Sequence, residues 1–550
     1  MLKPLFGVTL CFSVVFALAC AGAAPEDQGG QLGGEASTIT ASTPPAAGSA
    51  APNAPSAAAA GAAGSAAPSA GATTPPSAAG TAGAAGAMTP PTTVPTAPAI
   101  DRPDGWQPAS HERGATPDYD RVFAEDKVQR IDIEMTREAR QMMLDDLEML
   151  LGEMGATQPG GFGFPLPGAG NMNGMPRDPT DLVGGDPTYV PVTVRYEGGV
   201  WEHVAMRYKG NSSLASAWRT GVLKIGFRLN FDRYELEHPE IEDQRFYGFS
   251  EMTFSSGYRD PSLIRDKLAE QVLRAMELPT ARAAFYQVYV DAGEGPVYWG
   301  LYTMIEDPSD QMLEAQFEDK TGNLYKPDGP AANWTRFEME SFEKKSNKEA
   351  ADYSDVMAAI SALHAPRGDA QVWRTGLEAV FNVQSFLDVV AFSRTVGHWD
   401  GYGVMAHNYY LYGDPADAGR LRWISWDHNL TWQGQAFGRM SVMMDEVSQD
   451  WPLLRFLLDD ETYRAQYLEA LRKTSAAPIL QQQAFEALAT KLHTLIGPSV
   501  VGGGDQPGEQ APFTFLAQPA DFQDALTEPT RGLFTSASSL RSAVDTALSQ

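Results

Sequence analysis

The chain has 550 residues, with 41 Lys and Arg against 69 Asp and Glu, a net charge of −28. An excess of negative charge on that scale leaves no electrostatic basis for gripping a phosphate backbone, so nucleic acid is not expected as a partner. The two cysteines, Cys11 and Cys20, both lie in the N-terminal apolar segment. The rest of the chain therefore has neither an internal disulfide nor a thiolate metal site, and its folded part must be held by its own core.

Residues 1–20 read as an export signal. Lys3 supplies the positive start, and residues 5–18 form an apolar run too short to span a bilayer core. The run closes on Ala17-Leu18-Ala19-Cys20, followed by Ala21-Gly22-Ala23. Small residues ahead of a cysteine resemble a lipobox, although Ala17 stands where the common form has Leu; Cys20 is the expected lipidation site. Cleavage at an Ala-x-Ala-like site, releasing a secreted protein, is the alternative. Residues 21–100 are Ala, Gly, Pro, Ser and Thr with almost no large apolar side chain. Such a segment buries too little surface to offset chain entropy and is expected to act as a tether between the membrane and the folded part. Membrane contact is expected only through the lipid anchor, and localisation at the cell envelope.

From residue 101 onward the pattern predicts an α+β protein, strand-rich first and helix-rich afterwards. Residues 190–195 and 201–208 alternate apolar and polar around Gly198-Gly199, a β-hairpin, and 222–231 read as a further strand. Asp260-Pro261 is expected to open a helix whose apolar face carries Leu263, Ile264, Leu268, Val272, Leu273 and Met276. Residues 284–290 and 297–305 form a second predicted hairpin. Helices are expected over 377–396, 461–474 and 481–496, with a short hairpin of 408–412 and 421–426 between the first two. Residues 158–185 and 497–512, rich in Gly and Pro, read as long surface loops.

Three patches combine polar and aromatic residues. Met206-Arg207-Tyr208-Lys209-Gly210-Asn211-Ser212-Ser213 ends a strand, where such groups can cradle an anion or form an ordinary turn. The strand from Trp299 ends in Glu306, with Asn323-Leu324-Tyr325-Lys326 downstream; a carboxylate there can orient a lysine, hold a metal or simply be solvated. His398-Trp399-Asp400 precedes the short hairpin and Trp426-Asp427-His428-Asn429 follows it, so two acids can converge at its base. A positioned Asp, an amide oxygen and a second acid suit phosphoryl transfer, where catalysis is positioning plus Mg²⁺ charge neutralisation. A structural role for the same acids stays open, as does a metal-dependent hydrolase built on Asp400, Asp427 and His428. No His-Glu-x-x-His spacing supports the last.

Taken in order, these stretches resemble the CotH kinase family, atypical protein kinases of bacterial spore coats and of many secreted bacterial proteins. The matching residues are Arg207-Tyr208-Lys209-Gly210-Asn211-Ser212-Ser213, Lys224 with Phe227-Arg228-Leu229, and Ser262-Leu263-Ile264-Arg265-Asp266 with Leu268-Ala269. Gly300-Leu301-Tyr302 with Glu306, Leu324-Tyr325-Lys326, Asp400, Asn408-Tyr409-Tyr410-Leu411-Tyr412 and Trp426-Asp427 follow, over roughly residues 190–435. The resemblance implies an atypical kinase-like fold over residues 101–550. It implies transfer of the ATP γ-phosphoryl group to Ser or Thr of a surface or coat protein, with ATP and Mg²⁺ as cofactors. By position it makes Asp400 the catalytic acid and Asp427 and Asn408 metal ligands, with Lys224 as the phosphate-pairing lysine. Glu306 would lie at the nucleotide or metal site, and Arg207 and Lys209 at the phosphates. The family often carries Asp-x-Asp after the tryptophan, whereas this chain has Asp427-His428-Asn429. A catalytically inactive surface or adhesion protein on the same fold is the alternative that this departure raises.

Overall fold

A computed structural model describes residues 100–156, 182–433 and 440–550. The chain divides into two units, Met1–Thr93 and Val94–Gln550. The expected signal, tether and Cys20 anchor lie outside the described residues, as does most of the loop expected over 158–185.

Among the described residues, seven strands close a barrel: β1 (Gln129–Glu134), β2 (Val190–Tyr196), β3 (Gly199–Tyr208), β4 (Phe227–Asn230), β5 (Glu251–Ser255), β6 (Ala283–Asp291) and β7 (Val297–Glu306). Neighbours pair antiparallel except β1 and β6, whose parallel pairing shuts the ring, so no edge is left open. The first predicted hairpin is β2–β3. Its two-residue turn, Glu197-Gly198, has φ of 47° and 84°, the pair of positive values that matches strand twist. The helix Arg137–Leu151 packs its Ala139, Met143 and Leu147 stripe into the barrel core, with Thr136 Oγ1 accepting from the Ala139 N–H at 3.1 Å.

Strand β6 is almost wholly buried because both its faces are covered. Ala284, Tyr286 and Val288 point into the barrel, while Phe285 joins an outer core. That outer core is completed by helices Arg265–Ala275, Gln482–Val501 and Leu533–Leu548. A second sheet, in the order β11-β10-β8-β9, comprises β8 (Leu324–Pro327), β9 (Phe342–Lys344), β10 (Tyr409–Asp414) and β11 (Arg420–Ser425). Period-2 alternation splits its side chains. Tyr409, Leu411, Leu421 and Trp423 pack among the helices Ser354–Leu363, Ala370–Glu378, Val383–Val396, Pro452–Asp459 and Glu461–Ser475. Tyr410, Tyr412, Ile424 and Trp426 pack on the other side with Met312 and Leu313. The short predicted hairpin is therefore clamped between two cores, and its base is a rigid place on which to mount side chains. The α+β expectation holds, and no helix of the described residues is long and apolar enough to cross a membrane.

Four expectations need correction. The strand expected over 222–231 is only Phe227–Asn230. The helix expected from Asp260 begins at Arg265, because the Asp260 carboxylate accepts from the Ser262 and Arg265 N–H groups and holds a turn instead. The helix expected over 377–396 is two: Asn382 Oδ1 accepts from Ser385 N–H, the Asn382 N–H donates to Leu421 O on β11, and the Leu421 N–H donates back to Val380 O. Residues 497–512 form a surface loop only in part: 503–507 and 510–512 are exposed, whereas Gly508 and Glu509 are buried. The preceding helix runs on to Val501, and Glu509 turns inward to bind Lys224.

Candidate functional site

The base of the β10–β11 hairpin closes through the Trp426 N–H donating to Asn408 O at 3.1 Å. Asp400, Asn408 and Asp427 flank that point. Asn408 and Asp427 hold φ of 60° and 57°, the left-handed region that non-glycine residues occupy at a cost of about 1–2 kcal/mol. Asn and Asp tolerate it best, so the backbone selects the residue types that phosphoryl-transfer sites use.

Asp400 is held from two sides. His407 Nε2 lies 3.1 Å from Oδ1, and Asn408 Nδ2 donates to Oδ2 at 3.2 Å and to the Asp400 carbonyl at 2.7 Å. Burial works to raise the Asp400 carboxyl, but His407, His398 and Asn408 together outweigh it and hold the group below its usual range. Asp427 is pushed the other way, first by burial and then by the Asp400 charge, while Lys209, His407 and Lys326 pull it back. Burial, and next the Asp427 carboxylate, push Asp266 upward too. Asp266 accepts from Ser255 Oγ at 3.1 Å and from the His428 N–H at 3.2 Å.

Two lysines face these acids. Burial and the Arg228 and Lys326 charges lower Lys209 to about 8, against the pull of Asp427 and Asp307. Lys326, on β8, is lowered mainly by burial. The result is a cluster of three carboxylates with desolvated ammonium groups opposite them. Oxygen donors under mutual repulsion fit a hard divalent cation, and the lysines fit the phosphates such a cation carries.

The structure brings together Asp400, Asn408, Asp427 and Lys209, and sends three other expected site residues elsewhere. Lys224 is fully buried and its ammonium is committed to Glu509; the groups acting on it are Glu509 and Asp260. Glu306 accepts from the Tyr119 hydroxyl at 2.5 Å and from the Arg282 N–H at 3.0 Å, and burial pushes it up to about 7. The next residue, Asp307, is the one that acts on Lys209, and it pairs with Arg228 at 2.7 Å. Side chains alternate along a strand, so a one-residue step exchanges the two faces. Arg207 pairs with Asp186 at 2.5 Å beside the Tyr189 ring. His428, weighed as a hydrolase ligand, is buried between His398 and Phe392, with Nε2 on Ser425 Oγ at 2.8 Å. Asn429 donates to Tyr258 O at 3.1 Å.

Sequence reasoning left Asp266 and Lys326 without roles, although both stand in stretches it singled out. The available signal was a charged residue inside an apolar element: Asp266 between Ile264 and Leu268, and Lys326 after Leu324 and Tyr325.

Comparison with known proteins bears on the family of the chain. Residues 206–518 match the family model described as CotH kinase protein, which extends the match past residue 435 and includes Glu509. The inner spore coat protein H of Bacillus subtilis (strain 168) is 24% identical over 242 residues, covering 42% of this chain and 64% of that protein. The chain thus spans just under two thirds of that relative's length. On the family match, which covers more than half of its length, this chain belongs to the CotH kinase protein family.

Proposed function

We propose that this protein is an exported, atypical protein kinase that transfers the ATP γ-phosphoryl group to Ser or Thr of a surface or coat protein. The carrying observation is the convergence of Asp400, Asp427 and Asn408 at one hairpin base, opposite Lys209 and Lys326. Asp400, held low and oriented by His407 and Asn408, accepts the proton of the acceptor hydroxyl. Lys209 and Lys326 hold the phosphates. Asp427 and the Asn408 oxygen, whose amide nitrogen is taken by Asp400, would hold Mg²⁺, which supplies charge neutralisation when bound. A kinase-like arrangement of the barrel and the helical part is the fold this reading assumes. The name of the Bacillus relative supports a coat protein as acceptor and a location outside the cytoplasm; the lipid anchor at Cys20 rests on the sequence of residues 1–23 alone.

The test is labelled ATP, Mg²⁺ and a Ser-rich acceptor mixed with the full chain. Labelling lost in Asp400→Ala supports the reading; labelling unchanged in that variant sinks it. Asn429 favours a second reading, a non-catalytic surface protein. Its amide serves the Tyr258 carbonyl and brings no charge where the family often has an acid. Absence of any nucleotide-dependent rise in melting temperature would select it, since a ligand at 100 times its Kd adds about 2.7 kcal/mol.

A further inference from the structure

A second group of ligating side chains sits on the barrel, outside the hairpin cluster. His203 on β3, His238 just before the short 3-10 turn Pro239–Ile241 and Glu240 within it place one donor atom each within 4.8 Å of one another. His238 Nδ1 lies 3.0 Å from Glu240 Oε1, and His203 Nε2 lies 3.5 Å from the same oxygen. Two donors on one tetrahedral zinc ion stand about 3.3 Å apart, given metal–ligand distances of roughly 2.0–2.2 Å. The observed spacings bracket that value.

The backbone is shaped for this meeting. Opposite Thr193, the pairing of β2 with β3 slips, with Val194 facing Trp201 and Val192 facing Val204. Glu202 and His203 thus oppose a single residue, a β-bulge, and His203 takes a φ of 53°. A bulge re-aims one side chain against the strand's alternation, and here the re-aimed residue is the imidazole. Its ring stacks on His238 with centroids 3.5 Å apart and planes 11° from parallel. The backbone that carries the third ligand is pinned: Arg102 Nη1 donates to the main-chain carbonyls of Glu240 at 3.2 Å and Glu242 at 2.8 Å.

We propose that His203, His238 and Glu240 form a site for a divalent transition metal of the zinc class. Two imidazoles and a carboxylate suit such ions and not Mg²⁺ or Ca²⁺, which prefer all-oxygen shells. Three protein ligands leave a fourth position to water or to a group from a partner. The near-parallel rings must splay on binding, because each nitrogen lone pair lies in its ring plane. The side chains are about one-third exposed, which leaves an entry path and room for that rotation.

The test is calorimetric titration of the full chain with ZnCl₂ alone after chelator treatment, repeated with CoCl₂ and read by visible absorption. One bound ion per chain is expected, with affinity at least 10-fold weaker in His203→Ala and His238→Ala. Uptake should persist in Asp400→Asn, which separates this site from the hairpin cluster. As a measurement free of variants, Zn²⁺ should protect His203 and His238 of the wild-type chain from acylation by diethyl pyrocarbonate. Absence of stoichiometric uptake, uptake unchanged in both histidine variants, or labelling of the two rings unaffected by Zn²⁺ would each overturn the assignment.

Discussion

Replacing Glu509 with Gln isolates the buried ion pair that ties the segment after the helix Gln482–Val501 to Lys224 beside the barrel. Glu509 arrives from residues beyond the last barrel-packing helix turn, and its Oε1 faces both the Lys224 ammonium and the Leu301 N–H, the latter at 2.9 Å. Oε2 accepts from Thr514 Oγ1 at 2.9 Å. Gly300 makes room: a Cβ there would stand 2.9 Å from Oε1, at a φ of 110°. Gln keeps the shape and an acceptor for Leu301, so the principal loss is the negative charge beside a lysine with 1% of its side chain exposed. Removing one member of a buried pair costs about 3–5 kcal/mol. The stranded lysine can escape by shedding its proton, which costs about 4.6 kcal/mol at pH 7 and about 2 kcal/mol at pH 9. Burial already lowers Lys224, and Glu509 opposes that shift. In the variant the unfolded chain binds the extra proton between the folded and unfolded pKa values, so stability rises with pH there. Glu509→Gln should therefore lose about 4 kcal/mol at pH 7 and about half of that at pH 9 by urea unfolding, or roughly 4 °C in Tm at pH 7. A loss under about 1 kcal/mol, or one independent of pH, would refute a charged Lys224–Glu509 pair.

Two further outcomes follow from the site and one from a helix cap. Lys209→Met should lower the kcat/KM for ATP by roughly 10²–10³-fold, checked in the labelled-ATP assay, as loss of one charge-stabilising donor does elsewhere. Asn408→Gly relieves the left-handed backbone but deletes the Asp400 hydrogen bonds, so urea unfolding should change by no more than about 1 kcal/mol. Phosphoryl transfer by that variant should nevertheless fall at least about 10²-fold, and retention of full activity would remove Asn408 from the site. Asp460→Ala should cost about 2 kcal/mol in thermal unfolding and leave transfer rates intact at 20 °C. Asp460 caps the helix Glu461–Ser475 through the Thr462 and Tyr463 N–H groups and binds Arg374 at 2.7 Å, and none of these partners belongs to the hairpin cluster.

Much of the fold was legible because its signals are local. Alternation marked both barrel hairpins, and a helical repeat marked the helices Glu461–Ser475 and Gln482–Val501. The parallel β1–β6 pairing was not legible, since Gln129–Glu134 meets Ala283–Asp291 across more than a hundred residues and no local pattern encodes that register. The acids of the short hairpin were legible for a related reason: Asp400 and Asp427 bracket one supersecondary unit, and closing it brings them together. Lys209 was legible as the end of a strand, whereas choosing between Lys224 and Lys326, or between Glu306 and Asp307, was not. Those choices depend on which face of a strand is turned toward the hairpin, and on a partner, Glu509, arriving from 285 residues away. The amino-acid sequence by itself determined the α+β class, the strand-to-helix order and the polar residue types that bracket the short hairpin. Tertiary structure decided which charges meet, because a buried ionic group needs a partner and the chain finds it only once the barrel has closed.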